Sequence, residues 1–224
     1  MQKPCLYIVA VPIGNDLDFT LRGIDTVKNA DIIIGEECST TERMLKRLNI
    51  PGKEIIVLNE HNEESDALSI VKNIMEKSLS VALVSEAGTP CIADPGAMLV
   101  NLCYENGLKV VPIPGVSSIM ATLMVSGLVK GSFKYIGFLS ANKETRLREL
   151  KKIKNETIPI VLLDTPYRMK PLLNDIVLVL GSEKKMIFAY KLTQIEEMII
   201  KSTAGDVKSK CNDLPKGEFV IVLN

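Results

Sequence analysis

The sequence predicts a two-domain α/β protein. Residues 1–128 read as a mostly parallel, helix-covered sheet, and residues 129–224 as a mixed sheet with helices. Three observations support this. In the first half, short apolar runs of strand length alternate with stretches of helical apolar periodicity, and such βα alternation builds a parallel sheet with both faces covered. Residues 127–132, which hold two glycines and a lysine, read as a linker. Beyond it, the apolar runs 186–190 and 198–201 lie close enough in the chain to read as paired strands.

The elements follow in order. Residues 5–11 form the first strand, and Thr20 caps a helix whose apolar face is Leu21, Ile24 and Val27. Residues 32–34 are a strand ended by Gly35, and 40–48 a short helix. Strand 55–58 leads to helix 65–77, with Leu68, Val71, Ile74 and Met75 on one side. Strand 81–84, helix 97–106, strand 110–113 and helix 117–126 complete the first half. The second half begins with strand 133–139, a strongly charged helix at 143–154, strand 158–163, and helix 170–180 stopped by Gly181. The paired strands, a helix at 206–211 and a last strand at 219–223 finish it.

Composition narrows the function. The chain of 224 residues is 46% hydrophobic, enough for a full core, so it is not a disordered chain. Five cysteines without a Cys-x-x-Cys pair argue against a disulfide framework or structural zinc, and for a reducing compartment. The single histidine, His61, excludes a multi-histidine metal centre, so no metal is expected. His61 lies in the polar run Asn59-Glu60-His61-Asn62-Glu63 and reads as a surface residue. No apolar run approaches the roughly 20 residues that span a bilayer, and Pro12, Gly14 and Asp16 break any signal-peptide layout after the first strand. The protein reads as cytoplasmic, with no membrane partner. The zero formal net charge hides an asymmetry. Residues 1–130 carry 11 Lys+Arg and 16 Asp+Glu, whereas residues 131–224 carry 16 and 11. A basic half attracts a polyanion, although a solvated lysine-rich surface has the same composition.

The densest cluster of special-backbone residues is Glu86-Ala87-Gly88-Thr89-Pro90-Cys91-Ile92-Ala93-Asp94-Pro95-Gly96, between a buried strand and an apolar-periodic helix. Open α/β sheets bind ligands at such a place, although an ordinary strand-to-helix turn has the same spacing. The first strand closes on Val11-Pro12-Ile13-Gly14-Asn15, which is not Gly-x-Gly-x-x-Gly, and there is no Walker A lysine motif. A dinucleotide reading loses its main support.

These motifs resemble the tetrapyrrole methylase superfamily, whose signature is Asp-Ala-Gly-Thr-Pro-x-Ile-x-Asp-Pro-Gly. The likeness extends to Pro112-Ile113-Pro114-Gly115 with Ser117-Ser118, to Gly137-Phe138-Leu139 and to Lys216-Gly217-Glu218, and so covers nearly the whole chain. It is nearest to the branch that methylates a ribose 2′-hydroxyl of a cytidine in 16S rRNA. The resemblance implies a two-domain methyltransferase fold with S-adenosylmethionine folded in the cleft between the domains. It implies a homodimer acting on 16S rRNA of the small ribosomal subunit. The implied cofactor contacts are Pro12, Gly14, Glu86, Gly88, Ile92, Asp94, Ser117, Thr165, Tyr167 and Gly217. Glu86 stands where the family has Asp, so it keeps the charge and adds a methylene.

Methyl transfer from a sulfonium needs in-line positioning, and a hydroxyl acceptor gains roughly 10²–10⁴-fold from a base. The catalytic candidates are Glu36, Glu37 and Lys216. Glu36-Glu37-Cys38-Ser39 occupies the family's Glu-Asp-Thr-Arg slot, with Ser39 in place of arginine. A solvated acidic turn and a solvated lysine beside a strand are the alternative readings. The RNA-binding candidates are Lys143, Arg146, Arg148 and Arg168. The helix at 143–154 has no interleaved aromatics, and Glu144 and Glu149 also suit a salt-bridged solvated helix. Further departures are Ser140 and Asn142 for the family's Pro and Lys, Leu163-Asp164-Thr165-Pro166-Tyr167-Arg168 for Tyr-Glu-Ser-Pro-His-Arg, and Lys191 and Gln194 for Glu and Lys. They leave two rivals to ribose methylation: carbon methylation of a tetrapyrrole precursor, and a degenerate member that binds RNA or protein without transfer.

Overall fold

A computed structural model describes residues 3–224. The chain divides into two compact units, Met1–Ser117 and Ser118–Asn224. In the first unit, β1 (Cys5–Val9), β2 (Ile32–Gly35), β3 (Glu54–Val57), β4 (Ser80–Val84) and β5 (Lys109–Ile113) form one sheet in the order β3-β2-β4-β1-β5. Every pairing in it is parallel. Four helices connect the strands: α1 (Leu21–Asn29), α2 (Cys38–Arg47), α3 (Glu63–Glu76) and α4 (Ala97–Glu105).

Successive residues of a strand point to opposite faces. Val9, Ile33, Ala82 and Val84 therefore pack with Val27, Met44 and Leu45 of α1 and α2. Leu6, Ile34, Val81 and Leu83 pack on the other face with Ala67, Val71, Ile74, Leu99 and Cys103 of α3 and α4. Burial on both sides explains why these strands read as unbroken apolar runs. Thr20 caps α1 as expected, its Oγ1 accepting from the Gly23 N–H at 2.9 Å.

Several boundaries differ from the sequence expectation by a few residues, and two of the shifts have a clear local hydrogen-bonding cause. The first strand leaves the ladder after Val9, since Val11 turns to bridge Gly88. Helix α2 starts at Cys38, earlier than residue 40, because Thr41 bonds back to the Glu37 carbonyl through its N–H at 3.1 Å and its hydroxyl at 2.9 Å.

The second unit begins with α5 (Ser118–Ser126), continues through β6 (Lys134–Phe138), α6 (Lys143–Ile153), β7 (Ile160–Asp164), α7 (Met169–Leu180), β8 (Lys185–Tyr190), β9 (Met198–Thr203) and α8 (Ala204–Lys210), and ends with β10 (Phe219–Leu223). The sheet order is β6-β7-β10-β8-β9. Only β6 and β7 pair in parallel, so the sheet is mixed. Leu150, Leu162, Met169, Ile176, Phe188 and Ile221 form its core. Helix α5 packs against β8 and β10, and Lys201 Nζ donates to the Ser126 carbonyl at 2.9 Å. The helix thus groups with the second unit, ahead of the 127–132 segment read as the linker. Among the described residues, no helix is long and apolar enough to cross a membrane.

Candidate active site

Strands β2 and β4 are neighbours whose connections diverge. β2 leads through α2 outward to β3, and β4 leads through α4 past β1 to β5. Such a topological switch point opens a crevice outside the carboxyl ends of the strands, where open α/β sheets hold ligands. Glu36 follows β2 directly, and Glu86 lies two residues after β4. The two meet: the Glu86 N–H donates to Glu36 Oε1 at 3.4 Å.

The neighbouring turns are fixed by backbone bonds. Val11 and Gly88 exchange two hydrogen bonds, at 2.8 and 3.1 Å, which tie the 11–15 loop to the 86–94 loop. Gly88 sits at φ +83°, and a Cβ there would approach Ile13 Cγ2 to 3.3 Å. A side chain is disfavoured at this turn by conformation as well as space. Thr89 Oγ1 donates to the Val116 carbonyl at 2.9 Å, drawing in the segment before Ser117. Pro12 and Glu86 line a small hollow with Thr40, Thr41 and Ser85. Gly88 is buried, Pro12, Asp94 and Ser117 are half-buried, and Gly14, Glu86 and Ile92 are exposed.

The electrostatics of this edge are one-sided. Burial pushes the Glu36 carboxyl up to about 7, and the nearby Asp94, Glu86 and Glu60 carboxylates add to the shift, against the Glu86 N–H bond. Asp94 is raised by burial and then by Glu86. Among the described residues, no lysine or arginine forms an ion pair with Glu36, Glu86 or Asp94. Crowded, uncompensated carboxylates disfavour an anion and favour a cation. Glu37 differs from Glu36: it is exposed, and hydrogen bonds from Thr40 and Ser39 hold its carboxyl below the ordinary range. Of the two acids, only Glu36 titrates where a general base is useful.

Glu63 caps the helix that follows the 86–94 loop. Its Oε1 accepts from the N–H groups of Gly96 and Met98 at 2.9 Å and of Leu99 at 3.3 Å. The chain's own carboxylate thus occupies the first-turn amides of α4, groups that at a free helix N-terminus can hold an anion. Sequence reading missed Glu60, Glu63, Thr40 and Thr41. A signal for the acids existed: Glu60 and Glu63 follow the carboxyl end of β3, on the same sheet edge.

In the second unit, the predicted residues cluster at two turns. Tyr167 is 73% exposed, and Lys216 Nζ stands 4.3 Å from its ring centroid. Gly217 is required by close approach. A Cβ there would lie 2.6 Å from Tyr190 Cε2, whose ring packs beneath the turn while its hydroxyl donates to the Pro215 carbonyl at 3.0 Å. Thr165 is exposed, and its N–H donates to Asp164 Oδ1 at 2.6 Å.

Two of the four expected RNA contacts are placed otherwise. Arg146 is buried and spans four bonds: Nε and Nη2 meet Asp175 Oδ2 at 2.8 and 2.7 Å, and Nη1 meets the Ser140 and Ala141 carbonyls at 3.0 and 2.9 Å. Arg168 turns inward to Asp164 Oδ1 at 2.5 Å and the Leu139 carbonyl at 2.8 Å. Both guanidiniums are engaged inside the unit and do not project to a phosphate. Lys143 and Arg148 are exposed, and Asn142 caps the helix that bears them through a bond from the Thr145 N–H at 3.1 Å.

Comparison with known proteins identifies the family and the fold. The family model for tetrapyrrole (corrin/porphyrin) methylases matches residues 5–208. A protein of Vibrio cholerae serotype O1 named ribosomal RNA small subunit methyltransferase I is 36% identical over 224 residues, covering 99% of this chain and 77% of that protein. The fold is shared with a crystal structure of diphthine synthase, at TM-score 0.73 and 18% identity over 98% of this chain and 89% of that one. It is shared also with a cobalt precorrin-4 methyltransferase, at TM-score 0.68 and 19% identity over 98% of this chain and 94% of that one.

Proposed function

The chain belongs to the tetrapyrrole (corrin/porphyrin) methylase family, and from that premise we propose that it transfers the methyl group of S-adenosylmethionine to a ribose 2′-hydroxyl of a cytidine in 16S rRNA. The observation that carries the cofactor is the uncompensated carboxylate edge of the first unit. A sulfonium and an α-ammonium are cations, and Glu86 and Asp94 supply the opposite charge beside turns fixed by the Val11–Gly88 bridge. The first-turn amides of α4, which could otherwise hold an anion, are already taken by Glu63. Pro12, Gly14, Gly88, Ile92 and Ser117 are proposed as further cofactor contacts in this unit. Thr165, Tyr167 and Gly217 join them on the strength of the resemblance.

The donor is already activated, so most of the work is alignment of oxygen, carbon and sulfur. Glu36 is the proposed base for the hydroxyl proton, since its carboxyl is held near neutrality. Lys216 is the proposed partner of the acceptor's phosphate, with Lys143 and Arg148 guiding the RNA. The acceptor class rests on the relative at 36% identity, whereas the likeness to a precorrin methyltransferase is one of fold alone, at 19%. Tetrapyrrole methylation is accordingly not favoured. The reading includes a homodimer in the cytoplasm, for which sedimentation is the check.

Labelled methyl transfer to 30S subunits from a strain lacking this gene tests the assignment. Incorporation at one cytidine ribose is expected. Cofactor binding without incorporation would remove the rRNA acceptor.

A further inference from the structure

The second unit contains a buried ion pair that the proposed chemistry does not use. Asp164 ends β7 with its side chain fully buried. Its Oδ1 accepts two bonds at once, from the Thr165 N–H at 2.6 Å and from Arg168 Nε at 2.5 Å. Arg168 also reaches across with Nη2 to the Leu139 carbonyl at 2.8 Å, just past the end of β6. One guanidinium thus clamps the ends of two parallel neighbours and both ends of the turn 164–168. Asp164 Oδ2 and Arg168 Nη1 are buried with no hydrogen-bond partner. Burial raises the Asp164 carboxyl despite the arginine beside it. A buried pair with unsatisfied atoms is a poor device for stability alone, because desolvation offsets its attraction. It does fix geometry, since a guanidinium donates in a rigid planar fork.

We propose that Arg168 is a positioning residue for the cofactor: locked between Asp164 and the Leu139 carbonyl, it holds Thr165 and Tyr167 in the conformation that meets S-adenosylmethionine. The inference rests on the cofactor reading above and adds to it a residue that touches neither the donor nor RNA. A lysine at 168 keeps the charge but has one nitrogen, and cannot serve both partners in the same plane. The Leu139 bond is lost and the turn loosens.

The test compares wild type, Arg168→Lys and Asp164→Asn by calorimetry with S-adenosylmethionine, by RNA binding against salt, and by amide hydrogen exchange at residues 165–168. In both variants exchange at the turn rises and the cofactor dissociation constant increases by about tenfold, while RNA affinity and its salt slope stay unchanged. Unchanged cofactor affinity in both variants overturns the proposal. So does a fall in RNA affinity with a shallower salt slope, which would make Arg168 a phosphate contact. Should Arg168→Lys fail to fold, Asp164→Asn decides alone, because the amide keeps the acceptor for Thr165. Wild-type protein that binds no S-adenosylmethionine would instead overturn the underlying reading, with exchange at the turn still reporting whether Arg168 holds it.

Discussion

The carboxyl edge of the first unit and the 139–168 region of the second treat charge in opposite ways. In the first, Glu36, Glu86 and Asp94 crowd together and no cation pairs with them among the described residues. In the second, Arg146 and Arg168 are matched to Asp175 and Asp164 inside the fold. Matched charges build a frame. Unmatched ones leave a negative edge that favours a cation. The difference separates residues whose charge is satisfied within the fold from residues whose charge is not, although both groups looked alike in the sequence.

The sharpest way to break this contrast is at Glu36. Glu36→Gln is expected to lower kcat by roughly 10²–10⁴-fold while the fold persists. In wild type, activity should rise with pH and level off above about 7, as the raised carboxyl gives up its proton. The linked effect on stability has the opposite sign. A carboxyl raised from 4.5 to about 7 binds its proton more tightly when folded, so stability falls as pH climbs through that window. Glu36→Gln should flatten both profiles, as read by initial rates and by melting at stepped pH.

Arg146 stands at the other pole. Arg146→Ala leaves Asp175 buried and unpaired, and should cost about 3–5 kcal/mol in denaturant unfolding. Arg148→Ala, on an exposed face of the same helix, should change stability by less than about 0.5 kcal/mol. It should instead reduce the salt slope of RNA binding by about one unit. Equal stability losses at the two positions would erase the distinction between frame and surface.

Glycines sharpen it further. Gly217→Ala pushes a methyl into the Tyr190 ring, and should cost about 1–3 kcal/mol. Gly88→Ala should cost less, about 1–2 kcal/mol for the left-handed backbone, yet weaken cofactor binding more than its stability loss implies. Thermal melts alongside titrations separate the two effects.

Much of the frame was legible because it is local. Strands buried on both faces gave unbroken apolar runs, and Thr20 announced the start of α1. Glu36 was visible as an acid at a strand end, and the 86–94 loop as a run of backbone-restricted residues. What stayed hidden depends on long separations. Arg146 reads as one more charge on a basic helix until Asp175, 29 residues away, is brought beside it. Glu63 reads as part of the polar run around His61, and only the fold shows it starting α3 and capping α4, 33 to 36 residues on. The grouping of α5 with the second unit follows from its packing on β8 and β10, which no local signal encodes.

The central claim is that unpaired carboxylates beside rigid turns hold a cationic methyl donor. Calorimetric titration of the purified protein with S-adenosylmethionine tests it most directly. Saturable binding of one molecule per chain, weakened in Gly88→Ala, is the expected result. Absence of binding at high micromolar concentration in the wild-type protein would contradict it.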